Sequence, residues 1–379
     1  MISRFFILFL LVNNLSMLAD ETKKYLINVD TLGQAKAGSA YLKGFAAGFF
    51  NPSLSEDCVE QEEAELHAKK LDQRPEGQLQ HRVLDPKKQC QRYVAMQLPF
   101  FVFSRSMVSL FKAKSQKNRV AFLTSHVGEP FSFIMPSYLA YVTPYGHIAL
   151  FDQEFARALI SRDLERGGVA VASVDFIRST GVSFSQSFAI NQWLSLGVSP
   201  KFIRRQKNSL KADLTDISEV KHIKDIMRPS YSLGVAVDTA ATVYWQDYRF
   251  SLLSYNTAST KFYSKKSGRA EEVVLNTFDF GIGREILLLY DLLLGFYFDY
   301  QDITGNYEKN FLKKIHFGSK FGYKSLYTQG GLDQGNIAFG LGWRLQYIEM
   351  LAGISAEELG DKIGFRPDYR AYGGLRYQF

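Results

Sequence analysis

From about residue 130 to Phe379 the chain alternates with a period of two, the spacing that sends successive side chains to opposite faces of a β-sheet. Ile337, Phe339, Leu341, Trp343, Leu345 and Tyr347 take every second position, with Ala338, Gly340, Gly342, Arg344 and Gln346 between them. The same pattern recurs in Val182–Ile190, Leu194–Phe202, Tyr231–Val237, Leu292–Tyr300 and Ile315–Tyr323. One face carries Phe, Tyr, Trp and aliphatic groups. The other carries Gly, Ser and isolated charges. A soluble sandwich also alternates, but greasy aromatics opposite a small, polar face suit a barrel with lipid outside and a wet or ligand-holding lumen. A bilayer offers no water to an open sheet edge, so such a sheet must close.

Composition agrees. Aromatics reach 15%, yet mean hydropathy is only −0.12. Past the N-terminus no apolar run reaches the roughly 18 residues of a membrane-spanning helix; Ile286–Phe298 is short and contains Asp291. The 45 basic and 38 acidic residues leave a net charge of +7, without a Lys/Arg cluster that would argue for nucleic acid. Residues 1–19 read as a secretory signal peptide, with Arg4 ahead of the apolar run Phe5–Val12. That places the mature chain in an oxidising compartment.

The last strand ends on Tyr369, Ala371, Gly373, Leu375, Tyr377 and Phe379, alternating with Arg370, Tyr372, Gly374, Arg376 and Gln378. Phe379 at the end, Tyr377 and Gly374 resemble the C-terminal signal read by the barrel assembly machinery; Tyr372 departs mildly from the polar residue that signal favours. The fold class expected is all-β: a transmembrane antiparallel barrel over residues 93–379, about 14 strands in a range of roughly 12 to 16. An early strand at Tyr93–Phe103 contains Pro99, which calls for a bend or an edge. Gln206–Arg228 and Tyr255–Glu272 are polar and read as long loops.

Residues 29–53 do not alternate. They read VDTLGQAKAGSAYLKGFAAGFFNPS, where Gly33, Gly38, Gly44 and Gly48 permit tight turns. Pro52 fixes a bend and Asn51 can bond the local backbone. The run from Gly33 through Gly38, Ala40 and Tyr41 to Phe49, Phe50, Asn51, Pro52 and Ser53 resembles the N-terminal segment of FadL-type long-chain fatty acid transporters and of their TraF-like and PorV-like relatives. LSLGVSPK (Leu194–Lys201) and LYTQGGLDQGNIAFGL (Leu326–Leu341) sit where that superfamily has similar segments. There a small-residue segment ending in Asn-Pro-Ala plugs a fourteen-stranded barrel. The resemblance therefore implies a hatch over residues 20–53, with gating by Gly38, Phe49, Phe50, Asn51, Pro52 and Ser53; Ser53 stands in place of the usual Ala. No other ligand-contacting residue of the transporters maps onto the chain. Read without the resemblance, Asn51-Pro52-Ser53 is an ordinary turn ahead of a helix.

Residues 54–92 form an insert that this pattern does not require. An acidic run from Glu56 to Glu65 precedes a basic one from Lys69 to Arg92, with a turn at Arg74-Pro75-Glu76-Gly77. Charges so ordered complement helix dipoles, and the expectation is a helical hairpin. Cys58 and Cys90 are equidistant from Arg74, so the hairpin would set them opposite each other as a disulfide worth ~3 kcal/mol. His67 and His81 share that midpoint, but a Cys-to-His spacing of nine does not fit zinc frameworks. Two free thiols on a solvated helix are the plain alternative.

Nothing in the chain reads as an enzyme. Among six His, only Ser125-His126 puts a His beside a Ser in sequence, and no nucleophile elbow or metal motif is present. No cofactor or metal is expected. The expected function is binding or transport of a hydrophobic or amphipathic small molecule, fatty-acid-like or lipid, through a plugged lumen in the outer membrane of a Gram-negative bacterium. The alternatives are a structural or oligomer-forming protein that does not transport and, less fitting, a lipid-modifying barrel enzyme. The partners expected are outer-membrane lipid, the barrel assembly machinery and the small molecule. Outward apolar faces can also meet each other, which leaves a homo-oligomer open.

Overall fold

The computed structural model describes residues 29–42, 46, 49–54, 92–112, 116–143, 145–163, 169–213, 231–264, 268–288, 292–360, 363–364 and 366–379. The expected signal peptide, all of the hairpin insert but its end residues Leu54 and Arg92, and both cysteines lie outside these residues.

Fourteen strands form the wall, three of them in two pieces. β1 comprises Tyr93–Gln97 and Phe101–Ser104. Two helices follow, α1 (Arg105–Lys112) and α2 (Gln116–Ser125). Next come β2 (Pro130–Thr143), β3 (Gly146–Asp163), β4 (Val169–Asn191), β5 (Leu194–Asp213) and β6 (Tyr231–Trp245). β7 comprises Tyr248–Tyr255 and Thr260–Ser264, and β8 comprises Ala270–Val274 and Thr277–Leu288. The last six are β9 (Leu292–Tyr300), β10 (Ile315–Tyr323), β11 (Leu326–Asp333), β12 (Asn336–Arg344), β13 (Ile348–Glu358) and β14 (Pro367–Gln378).

Each strand pairs antiparallel with its sequence neighbours, and β14 returns to β1 to close the barrel. The closing register runs from Ala95 opposite Gln378 to Ser104 opposite Arg370. Between these ends Leu98, Pro99 and Phe100 face only two residues of β14, a bulge at the expected bend. Pro99 has no N–H to give. Phe100 N instead donates to Pro136 O at 3.1 Å, and its ring turns inward.

The alternation maps onto the two faces as the residue types require. Ile337 is 71% exposed and Phe339, Leu341 and Trp343 also face outward, whereas Asn336 and Ala338 are buried inside. β9 to β12 have only eight or nine residues each. At about 3.3 Å per residue and a tilt of roughly 35–45°, that length reaches about 19–24 Å along the barrel axis, no more than the roughly 25 Å apolar band.

The opposite side is taller: β3, β4 and β5 have 18, 23 and 20 residues. Their outward face changes character part-way up. Leu139, Leu150 and Phe202 are exposed apolar groups. The next outward row is Ser137, Asp152, Thr180 and Arg204, followed by Glu154, Arg178 and Gln206. Arg178 grips Asp152 through Nε (3.0 Å) and Nη2 (2.8 Å) and lies 3.2 Å from Glu154. Charges in this number do not face hydrocarbon, so the row marks the upper edge of the bilayer. Above it the outward face is covered by protein. Met107 of α1 packs on Phe133, Ala156 and Phe176. Phe122, Leu123 and Val127, from α2 and the turn after it, pack on Phe131, Ala158, Ile160, Ala172 and Val174. α1 starts where Ser104 Oγ accepts from Met107 N at 3.1 Å, an N-cap bond.

This tall rim corrects two loop assignments. Gln206–Asp213 continues β5, paired with β4 out to Val171 opposite Asp213. Within Tyr255–Glu272, Thr260–Ser264 and Ala270–Val274 pair with each other. The polar sequence there signals departure from the bilayer and not the end of the sheet: outside lipid, a strand no longer needs an apolar outer face. The boundary is testable by denaturant titration in lipid vesicles. Phe339→Arg, at mid-height on the short wall, should lower stability by about 2–4 kcal/mol, and Gln206→Arg by less than about 1 kcal/mol.

Candidate functional site

The described residues of the 29–54 segment occupy the lumen. Three short 3-10 turns, Val29–Gln34, Ser39–Tyr41 and Pro52–Leu54, carry the chain through it. None of them joins the wall ladder. Side chains from the wall hold the segment, mostly through its backbone. Asp299 of β9 accepts from Gly38 N (3.3 Å) and Ser39 N (3.1 Å). His316 of β10 has Nδ1 3.2 Å from Ala35 O, and Gln301 donates to Lys36 O at 3.2 Å. Tyr255 of β7 donates to Phe50 O at 2.9 Å.

The residues singled out in the sequence come together here. Gly38 has φ +105°, a left-handed conformation in which a Cβ would sit 2.8 Å from Gln34 Oε1, so only glycine fits without strain. Asn51, Pro52 and Ser53 are buried against β4, β5 and β6. Asn51 Nδ2 donates to Ser39 O (3.0 Å) and Ser251 Oγ (3.1 Å), tying the two halves of the segment to each other and to the wall. The Ser53 hydroxyl donates to Asn51 Oδ1 and meets Thr242 Oγ1 at 2.7 Å. Ser195 donates to Ser53 O at 2.8 Å. The inward position of Gly197 on β5 provides the room: a Cβ there would lie 2.1 Å from Pro52 C.

Phe49 and Phe50 pack edge-to-face (5.0 Å between centroids) within an apolar nest that includes Phe151, Ile203, Tyr138 and Phe262. A second nest receives Leu32 among Ile134, Phe155, Ile177, Leu351 and Tyr372. Phe49 also meets a cation. Lys201 Nζ lies 3.7 Å from the centre of its ring, donates to its carbonyl at 2.9 Å and pairs with Asp238 at 2.5 Å. Lys201 and Asp238 are almost wholly buried, and a buried charge pair is tolerated only with such full satisfaction.

Sequence reading missed Lys36, Lys201, Asp238, Asp299, Asp333 and Glu357 as holders of the segment. For the five wall residues the one signal was a lone charge at an inward position. His316, buried against Ala35 O, lines the lumen. Among the described residues Ser and His side chains meet at two places, and Ser125 Oγ and His126 Nδ1 (2.9 Å) stand at the end of α2 on the outer side. The other is internal: Ser183 (3.0 Å) and Ser185 (2.7 Å) each take one ring nitrogen of His147, which is buried beside Phe49. That ring cross-links β3 to β4 and presents no free nucleophile.

The three residues of the expected assembly signal lie at the barrel seam. Phe379 exchanges two backbone hydrogen bonds with Val94 of β1 (3.0 and 2.9 Å), and Tyr377 stands opposite Met96. Gly374 faces inward against the Phe100 ring. Beside it a small cavity is lined by Gln97, Phe100, Glu349, Leu351, Leu375 and Arg376.

No family model and no curated protein matches the sequence. Several solved barrels are similar in structure. The toluene transporter TodX of P. putida shares 10% identity, with 92% of this chain and 96% of that one covered and a TM-score of 0.41. The toluene transporter TbuX of Ralstonia pickettii shares 11%, with 76% and 88% covered and a TM-score of 0.39. CdiB from Acinetobacter baumannii shares 8%, with a TM-score of 0.31; 76% of this chain aligns, spanning 60% of that protein. At these identities and scores the likenesses carry no argument about what this chain binds.

The contact between Gly197 and Pro52 gives a direct test of how the segment is held. Gly197→Ala should displace the Asn51–Ser53 turn without unfolding the wall. The measurements are protease cleavage within residues 29–54, expected to rise, and heat-modifiable migration of the barrel, expected to be unchanged.

Proposed function

We propose that the chain is an outer-membrane barrel of a Gram-negative bacterium whose N-terminal segment gates a lumen for a hydrophobic or amphipathic small molecule, fatty-acid-like or lipid. One observation carries this reading: the segment is held by side-chain hydrogen bonds and ion pairs and by no β-ladder. Contacts of that kind are exchangeable one by one at about 1 kcal/mol each. A ladder would have to unzip as a unit.

The filling of the lumen bears on the ligand. Phe49, Phe50 and Leu32 sit in apolar nests, and Lys201 and His147 border the first of them at Phe49. When the segment moves, these nests become apolar subsites with hydrogen-bonding borders, the environment a hydrophobic or amphipathic molecule needs. Gly38, Phe49, Phe50, Asn51, Pro52 and Ser53 are then the gating residues, with Asn51 as the bond between the two halves of the hatch. Gly374, Tyr377 and Phe379 serve assembly, since they lie on the edge that must find β1 last.

The alternative is a barrel that organises lipid or partner proteins without transport. The full satisfaction of the buried Lys201–Asp238 pair favours it, because a fixed core needs no exchange. Conductance separates the two. Deleting residues 29–53 from the mature chain should raise single-channel conductance in planar bilayers, and the wild type should take up a fluorescent fatty acid into liposomes. Unchanged conductance in the deletion variant removes the gating reading.

A further inference from the structure

Lys36 is the one cationic residue in the described part of the segment. Its ammonium lies 3.4 Å from Asp333 on β11 and 4.0 Å from Glu357 on β13. Both carboxylates are buried and shared. Asp333 Oδ1 lies 2.9 Å from His316 Nδ1. Glu357 takes Arg157 of β3 (3.2 Å) and Arg370 of β14 (2.6 Å), and Arg370 continues to Asp368 at 2.7 Å. Asp299, which holds Gly38 and Ser39, stands directly opposite His316 in the ladder. The wall part of this network has four carboxylates, Asp299, Asp333, Glu357 and Asp368, against two guanidinium groups, Arg157 and Arg370, and the His316 imidazole. Among these wall residues the carboxylates outnumber the cationic groups, four to three even with His316 protonated.

We infer that Lys36 is a tethered cation whose charge retains the segment, and that its withdrawal leaves a cation-selective constriction between Asp333 and Glu357. The inference rests on the gating reading above. A buried carboxylate stripped of its partner is costly, so the segment leaves readily only when water or another cation takes the place of the ammonium. Once vacated, that stretch of wall attracts cations and repels anions.

The test uses the full mature chain in planar bilayers. Lys36→Arg should stay as closed as the wild type. Lys36→Met should raise open probability at least about tenfold. Lys36→Met with Asp333→Asn should return toward the closed state, because the lost cation is matched by a lost carboxylate. In a potassium chloride gradient the open Lys36→Met pore should reverse toward the potassium potential. Heat-modifiable migration verifies folding of each variant, and Lys36→Gln carries the same expectation if Lys36→Met does not assemble. A Lys36→Met protein as closed as the wild type overturns the inference. So does a double variant as open as Lys36→Met, which would make the role of Lys36 steric, or an anion-selective pore. If deleting residues 29–53 opens the pore and Lys36→Met does not, only the retention by charge fails; if the deletion itself changes nothing, the gating reading fails first.

Discussion

Hydrocarbon offers no hydrogen bond, so every backbone N–H and C=O in the lipid-facing wall must find its partner on a neighbouring strand. The rest of this molecule follows from that. Fourteen strands close because an open edge would be intolerable, and the closure draws the last residues, Tyr377 and Phe379, against β1. The same constraint explains how the seam accommodates Pro99. A proline removes one ladder donor, and the chain absorbs the loss in a bulge where Phe100 N and the Gln97 side chain both turn to the carbonyl of Pro136.

Closure creates the second problem, an interior that must be filled. The inward face carries lone charges on many strands, and buried charges persist only when paired. The wall meets part of this demand from within, as in Arg157–Glu357–Arg370. The remainder is met by the N-terminal segment, which brings backbone donors to Asp299, carbonyls to Lys201 and Tyr255, and an ammonium to Asp333. Wall and segment therefore complete each other electrostatically, although no ladder joins them. The uneven height of the barrel is a separate adaptation. On the tall side the sheet outgrows the bilayer, and α1 and α2 cover the apolar groups that lipid no longer reaches.

Much of the wall was legible in the sequence because period two and aromatic placement are local properties. Ile337, Phe339, Leu341 and Trp343 could be assigned to the outer face, and the strand number could be put at about fourteen; Leu345 and Tyr347, which share the spacing, fall in the turn after Arg344. The errors fell at Gln206–Asp213 and at Thr260–Ser264 with Ala270–Val274, where strands leave the bilayer and the outward positions lose their apolar signature. The candidate site was half legible. Gly38 and the Asn51-Pro52-Ser53 turn stood out as a cluster of special backbone residues. Their wall partners did not, since Lys201, Asp238 and Asp299 look like any other lumen-lining charges until strands far apart in sequence are wrapped around one axis.

The sequence by itself determined the class of fold and the two faces of every membrane-crossing strand, because each of those is written in the spacing of neighbouring residues. Which charges meet, where the bilayer ends on the tall wall and how residues 29–54 fill the lumen were decided only by the tertiary structure. Lys36 is 321 positions from Glu357 in the chain and within ion-pair reach of it in the barrel, and no local pattern records a distance that only closure of the sheet creates.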